Sequence, residues 1–134
     1  MTDINEDEKT VKILQNSNQK EYAPKNNIEE NKAQISLLPL DLLSEMLVPA
    51  YMEGLKKYQR ESWRKGFKAS TMMDACMRHL TAFYYEHEDY DSETFKTYGI
   101  RKHHLGAALF CIISLYNSVR TDITLDDRPT EKKV

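Results

Sequence analysis

Residues 103–116, HHLGAALFCIISLY, contain no acidic or basic side chain after the two histidines. The large apolar residues of this stretch lie on all sides of a helix: Leu109, Ile112, Ile113 and Tyr116. A helix without a polar side is a buried, central one. The run is too short to span a bilayer, which takes about 20 apolar residues. We therefore predict a soluble all-α protein packed around this helix.

Two amphipathic helices are predicted to precede the central one. The first begins near Pro39, a residue suited to the opening turn of a helix. Its apolar stripe follows steps of three and four residues: Leu40, Leu43, Leu47, Ala50, Gly54 and Tyr58. We expect Pro49 to kink or break this helix near Leu47. Gly54, which has no side chain, is expected to let another backbone approach closely.

The second predicted helix begins after Ser70 or Thr71 as N-cap, with Asp74 placed for a capping box. One face is apolar: Met73, Cys76, Met77, Leu80, Phe83 and Tyr84. The acidic run at 86–93 ends this helix, and SETFKTYG forms a turn to the third. Because a small bundle of three main helices cannot cover the central one on every side, we expect oligomerisation to complete the bundle.

Composition fits one small domain flanked by polar ends. The chain has 134 residues, 40% of them hydrophobic, and a formal net charge of −2, so it has no strong nucleic-acid signal. Residues 1–34 are predicted to be a flexible polar tail, 35–120 the helical core and 121–134 a polar C-terminal tail. No signal-like segment opens the chain, which favours a cytoplasmic protein without membrane contact. The two cysteines, Cys76 and Cys111, lack metal spacing and are predicted to be buried thiols.

Two charge clusters stand near predicted helix ends where the helix dipole disfavours them. EHEDYDSE, residues 86–93, follows the second helix, and RKHHL, residues 101–105, opens the third. They either neutralise each other, with Arg101 and Lys102 screening the acids, or together bind a metal ion or a phosphate. Glu88 and Asp91 have ExxD spacing, which on a helix places both carboxylates on one side, as a hard divalent cation requires.

Histidines flank the acidic run. His79 and Glu86 are seven residues apart, so both face one side of the second helix. His104 lies at a helix N-terminus, where the dipole favours the neutral imidazole that binds metals or accepts protons. His103 is an equivalent choice by spacing. The structural alternative for His79 is a hydrogen-bonded residue at the edge of the core. For His103 and His104 it is that they screen the acidic run together with Arg101 and Lys102.

The connection GLKKYQRESWRKGF mixes cations with aromatic side chains, a composition that suits contact with phosphates and bases. Lys57, Tyr58 and Trp63 are its candidate ligand-binding residues, and Arg78 beside His79 is a further one. The structural alternative is that Trp63 closes one end of the bundle and Arg78 forms a surface ion pair.

Five segments occur in an order that resembles a phage-encoded family, the dATP/dGTP diphosphohydrolase N-terminal domain, which is similar to all-α MazG-like nucleotide pyrophosphohydrolases. The segments are LLPLDLLSEML, GLKKYQRESWRKGF, DACMRHLTAF, HEDYDSE and HHLGAALF. The matching positions are Leu38, Pro39, Lys57, Tyr58, Trp63, Gly66, Arg78, His79, Leu80, Glu88, Asp91, Glu93, His104 and Leu105. The resemblance covers about residues 34–118.

This resemblance implies a phage-type metal-dependent nucleoside triphosphate pyrophosphohydrolase that acts on (d)NTPs in the host cytoplasm. The implied catalytic residues are Glu88, Asp91 and His79, and the implied ligands of Mg²⁺ or Mn²⁺ are Glu88, Asp91, Glu86 and His104. Lys57 and Arg78 would bind phosphates, and Tyr58 or Trp63 would stack on the base. Two alternatives stay open: a non-catalytic anti-defence protein that sequesters a nucleotide, and an adaptor that binds a host or phage protein through its N-terminal tail.

Overall fold

The computed structural model describes residues 32–130 of the chain. The chain divides into two units, Met1–Leu37 and Leu38–Val134. In the first unit, the described residues include a 3₁₀ turn, Ile35–Leu37. The second unit contains four α-helices: α1 Leu40–Lys57, α2 Ala69–Tyr84, α3 Ser92–Tyr98 and α4 His104–Thr121. Two further 3₁₀ turns are Ser62–Lys65 and Ile123–Leu125. No strand occurs among residues 32–130, so the prediction of an all-α fold is confirmed.

Helix α4 lies at the centre, because both α1 and α2 pack against it. Its buried residues are small or polar: His104, Gly106, Ala107, Ala108, Cys111, Ser114 and Ser118. Ile112 is 50% and Tyr116 65% exposed, so one chain does not cover this side of α4. That oligomerisation covers it stays a prediction. Small side chains on the inner face allow α1 and α2 to approach closely.

Helix α1 differs from its prediction at two residues. It is not broken at Pro49 and continues to Lys57. A proline removes one backbone hydrogen bond from a helix, and the packing of α1 against α4 compensates for that loss. Gly54 has no atom within 4 Å of the position that a Cβ would occupy, so no other backbone approaches it. The close approach occurs at Gly106 of α4, where a Cβ would lie 2.1 Å from the carbonyl oxygen of Met46.

The N-terminus of α2 is stabilised from a distant part of the chain. The helix begins at Ala69, after Lys68, so Ser70 and Thr71 are not its N-cap. The backbone N–H of Ser70 donates to Asp127 Oδ1 at 2.8 Å, and the Ser70 hydroxyl donates to the same carboxylate. A carboxylate at a helix N-terminus interacts favourably with the dipole. Asp127 comes from the predicted C-terminal tail; the predicted tail at 1–34 lies largely outside the described residues.

The hydrophobic core between α2 and α4 contains both thiols. Met72, Cys76, Ala108 and Cys111 form its buried cluster, which confirms the prediction for the cysteines. Burial raises the pKa of Cys111 to about 11. None of the helices within residues 32–130 has the length and hydropathy needed to cross a membrane.

Candidate functional site

The acidic run lies in an ordered connection and not on a helix. Helix α2 ends at Tyr84, and His87 takes a left-handed conformation, φ 55°, that turns the chain. Asp91 is the N-cap of α3: its Oδ1 accepts hydrogen bonds from the backbone N–H groups of Glu93 at 3.1 Å and Thr94 at 3.3 Å. The prediction that Asp91 shares a helical face with Glu88 is therefore wrong. As an N-cap, its negative charge stands at the end of a helix that the dipole favours.

Backbone hydrogen bonds join this connection to the start of α4. The N–H of Asp91 donates to the carbonyl of Lys102 at 2.8 Å, and the N–H of His104 donates to the carbonyl of Asp89 at 2.8 Å. Tyr90 and His103 form an antiparallel bridge between these two bonds. The acidic run and the RKHHL segment are thus held side by side, which places Asp91 and His104 close together.

Three imidazole and carboxylate side chains converge at this junction. His79 Nδ1 from α2 lies 2.9 Å from His104 Nδ1 at the start of α4. One ligand atom from each of His79, Asp91 and His104 lies within 4.8 Å of the other two, a group that could hold a metal ion. His104 Nε2 lies 2.8 Å from Glu88 Oε1. We call His79, Asp91, His104 and Glu88 the histidine–acid cluster.

Charges around the cluster set its protonation. Burial, and next the positive charge of Lys102, lower the pKa of His79 to about 4, so His79 is neutral at pH 7. Burial raises the pKa of Asp91, but the backbone N–H of Thr94 and the charge of Lys102 outweigh it and lower that pKa below its usual value. A hydrogen bond from His104 lowers the pKa of Glu88. At neutral pH the cluster therefore offers a neutral imidazole beside two ionised carboxylates.

A second polar network, which sequence patterns do not indicate, stands beside the cluster. Glu53 of α1 is only 7% exposed, and Lys102 is 6% exposed. Lys102 Nζ lies 3.0 Å and 2.9 Å from the two carboxylate oxygens of Glu53, and 3.5 Å from Asp91 Oδ2. Lys57 Nζ lies 3.0 Å from Glu53 Oε1, and the hydroxyl of Thr94 donates to Oε2. Lys102 thus joins this network to the cluster.

Hydrogen bonding keeps Glu53 ionised inside the fold. Burial raises its pKa, but the donors Thr94, Lys102 and Lys57 outweigh it and lower that pKa. The signal that could have found Glu53 is its place on α1, three residues after Ala50 of the apolar stripe, where an acid faces inward. The sequence predicts only a screening role for Lys102 beside the acidic run, and Lys102 does contact Asp91.

Other predicted site residues do not join the cluster in this chain. Glu86 is exposed, and the structure shows no contact between it and the cluster within residues 32–130. Lys57 Nζ is bound to Glu53, and Tyr58 is 64% exposed at the end of α1. Arg78 is exposed on α2, beside His79, and forms no ion pair with any described residue.

Trp63 packs near the other end of α4. Its ring contacts Tyr51 edge-on, with ring centroids 5.7 Å apart, and Arg64 lies over it at 4.5 Å. The turn that carries it is bound to α4 because Asn117 donates to the carbonyl of Arg64 at 3.3 Å. Asn117 is about 20 Å along the helix from His104, at 1.5 Å per residue. Within one chain, Trp63 therefore contributes to bundle packing and not to the cluster.

Comparison with known proteins supports one family. The family model described as "dATP/dGTP diphosphohydrolase, N-terminal" matches residues 22–128, which include the whole histidine–acid cluster and all four helices. No curated protein and no solved structure matches the chain. The match agrees with the resemblance seen in the sequence motifs.

Proposed function

The chain belongs to the dATP/dGTP diphosphohydrolase N-terminal family, and from this membership we propose that it is a metal-dependent nucleoside triphosphate pyrophosphohydrolase. The reaction consumes one water and one dATP or dGTP and yields the nucleoside monophosphate and pyrophosphate. The family model describes only the N-terminal part of such an enzyme. The hydrolase activity of this chain is therefore proposed and does not follow from family membership alone. Acting on free nucleotides, the protein would work in the cytoplasm of an infected host cell.

The observation that carries the proposal is the convergence of His79, Asp91 and His104 from three parts of the chain. A neutral imidazole and an ionised carboxylate are the forms in which these side chains bind divalent cations. The residues therefore fit a metal ion, which His79, Asp91 and His104 would hold. When bound, such an ion activates water and neutralises phosphate charge. Glu88 contacts His104 and would orient its ring, so its predicted role as a ligand is replaced by a positioning role.

The chain's cations would stabilise the triphosphate. Arg78 follows Met77 and precedes His79 on α2, is exposed, and has no ion pair within the described residues, so its guanidinium is available for a bidentate phosphate contact. Lys102 supplies a buried positive charge 3.5 Å from Asp91. Base stacking on Tyr58 or Trp63 stays a prediction; for Trp63 it would require a second subunit, because its turn lies at the other end of α4.

Turnover of purified deoxynucleotides tests the proposal. The full chain is incubated with dATP or dGTP and Mn²⁺, and the products are separated by anion-exchange chromatography. We expect equimolar monophosphate and pyrophosphate, a loss of at least about a hundredfold in Asp91→Asn, and unchanged turnover in the matched control Asp74→Asn, which alters an exposed acid of α2. Asp74 has no contact with the cluster among the residues described.

Two other outcomes would overturn the enzyme proposal and separate its alternatives. Tight calorimetric binding of a nucleotide that is recovered intact after denaturation would indicate sequestration. Neither binding nor turnover, together with co-purification of a host protein that is lost when residues 1–34 are deleted, would indicate an adaptor.

A further inference from the structure

We propose that His79, Asp91 and His104 form a three-ligand site for a divalent transition metal of the Mn²⁺, Co²⁺ and Zn²⁺ class, with Glu88 as a positioning residue outside the ligand set. The proposal rests on the proposed function for its substrate, but the metal site itself follows from the geometry of the cluster. Of the two metals expected from the sequence, Mg²⁺ and Mn²⁺, this site favours Mn²⁺. His79 is a ligand in place of Glu88 and Glu86.

The ligand atoms already lie near the separations that one metal ion imposes. Two donors bound at about 2.1 Å to the same ion stand about 3.0 to 3.4 Å apart. The two imidazole Nδ1 atoms are 2.9 Å apart, and the Asp91 oxygen lies within 4.8 Å of both. A small side-chain rotation of Asp91 would bring the third donor into place.

The backbone holds two of the three ligands in register. Asp91 is anchored by its N–H to the carbonyl of Lys102, and His104 by its N–H to the carbonyl of Asp89, each at 2.8 Å. The third ligand, His79, lies on α2, which packs along α4. Because these backbone contacts fix the positions of Asp91 and His104, binding a metal ion would require little further ordering of the chain.

The donor set decides the class of metal. Mg²⁺ prefers oxygen ligands and keeps several of its waters. Two imidazole nitrogens and one carboxylate oxygen instead suit first-row transition metals, whose affinity for nitrogen ligands rises from Mn²⁺ towards Zn²⁺ and Cu²⁺. A three-residue set also leaves positions on the metal for water and for phosphate oxygens of a substrate.

Glu88 determines which nitrogen of His104 is free to bind. Its carboxylate, 2.8 Å from Nε2, accepts a hydrogen bond from Nε2–H in the tautomer of His104 that has its lone pair on Nδ1. The Nδ1–H of His79 then donates to His104 Nδ1 across the 2.9 Å contact. For both Nδ1 atoms to bind a metal ion, His79 would take the other neutral tautomer, with its proton on Nε2. A carboxylate behind a metal-binding histidine is a recurrent arrangement that fixes the ring and strengthens the ligand.

Metal binding to the full chain, measured apart from catalysis, tests this proposal. The protein is stripped with a chelator and titrated with Co²⁺, whose visible absorption reports nitrogen and oxygen ligation. We expect one Co²⁺ per chain, displaced by Zn²⁺ at a similar concentration and by Mn²⁺ only in excess, because Mn²⁺ binds nitrogen ligands more weakly than Co²⁺. A roughly hundredfold excess of Mg²⁺ should not displace the Co²⁺. Displacement by that excess of Mg²⁺, or no saturable Co²⁺ spectrum, would overturn the proposal.

Variants then assign the residues. His79→Ala and Asp91→Ala should each remove the Co²⁺ spectrum, whereas Glu88→Ala should keep it with affinity weakened about 10- to 100-fold, as for residues that position a ligand. The matched control is His87→Asn, which removes an exposed histidine of the same connection and tolerates its left-handed backbone. Unchanged affinity in the His79 variant, or complete loss of the spectrum in the Glu88 variant, would contradict the assignment.

If a variant fails to fold, a thermal-shift measurement on the wild-type chain tests the metal site instead. Zn²⁺ or Mn²⁺ should raise the melting temperature of the wild type more than Mg²⁺ at equal concentration, because only binding to the folded state stabilises it. An equal shift with Mg²⁺ would count against the site.

If transition metals bind as described and dATP and dGTP stay intact, the metal site stands and the enzyme proposal fails. If the nucleotides are hydrolysed and no transition metal binds, the enzyme proposal stands and the metal site fails.

Discussion

Removing the carboxylate of Glu53 should destabilise the fold more than any other change to a single charge in the network. Glu53→Ala leaves Lys102, 6% exposed, with Asp91 at 3.5 Å as its remaining acidic partner. Breaking a buried ion pair from one side costs about 3 to 5 kcal/mol, because an uncompensated charge stays in the interior. The contact with Asp91 places the expected loss at the lower end, about 3 kcal/mol in the free energy of unfolding.

The structure also predicts how this loss is divided. Lys57 is 43% exposed at its side chain, so its ion pair with Glu53 should contribute less than about 1 kcal/mol. Lys57→Ala should therefore cost far less than Glu53→Ala. If both buried charges are removed together, as in Glu53→Leu with Lys102→Met, most of the lost stability should return, since no unpaired charge remains.

Urea unfolding followed by circular dichroism measures these differences. For a domain of this size, a loss of about 3 kcal/mol corresponds to a fall in melting temperature of about 12 °C or more. Glu45→Ala is the matched control, an exposed acid eight residues earlier on the same helix, and should change the free energy of unfolding by less than about 0.5 kcal/mol. The reasoning is refuted if Glu53→Ala and Glu45→Ala are equally stable, or if the double variant is less stable than Glu53→Ala.

The other predictions concern pH, packing, the thiols and assembly. Because folding lowers the pKa of Glu53, its contribution to stability is complete above its unfolded pKa of about 4.5 and is lost as pH falls through the folded value. The stability difference between wild type and Glu53→Gln, measured by urea titrations at several pH values, should therefore shrink below pH 4.5. A difference that stays constant with pH would contradict this prediction. Gly106→Ala places a Cβ 2.1 Å from a backbone carbonyl oxygen of α1 and should lower the free energy of unfolding by about 3 kcal/mol. Gly54→Ala, with open space around it, should raise that free energy by about 0.5 to 1 kcal/mol. Equal melting temperatures for the two variants would show that the contact between Gly106 and α1 is misplaced. Cys111, 4% exposed and with a raised pKa, should react with a thiol reagent only after unfolding, and rapid labelling of the native chain would disprove its burial. Met52, 48% exposed on α1 among other apolar side chains, should lie in the predicted oligomer interface; sedimentation should show an oligomer for the wild type and a monomer for Met52→Glu, and a monomeric wild type would remove the oligomer prediction.

Helix identity could be predicted because it depends on neighbours within the sequence. The spacing of apolar residues in α1 and α2 and the apolar run of α4 each repeat over a few turns, and no distant residue is needed to recognise them. The same locality explains the errors. The effect of Pro49 and the N-cap of α2 depend on packing and on Asp127, 57 residues away from Ser70, which short patterns do not contain.

The candidate site could be predicted in part. Sequence patterns bring attention to His79, Asp91, Glu88 and His104, because acids and histidines stand out beside apolar helices. They place Asp91 on a helix together with Glu88, whereas Asp91 is the N-cap of the separate short helix α3. An aspartate can occupy either position, and the short pattern does not distinguish them. The ligand role of Glu86 stays a prediction that the geometry does not support.

Local patterns in the sequence are enough to show that this protein is helical, that one helix is central, and which ionisable side chains lie near the start of that helix. Which of those side chains contact one another depends on how the helices pack. Glu53 and Lys102 are 49 residues apart in the chain and form an ion pair because α1 packs across the start of α4. The physical reason is range: helix formation follows from hydrogen bonds four residues apart. A buried pair between distant residues forms only after packing has excluded water and brought the two charges together.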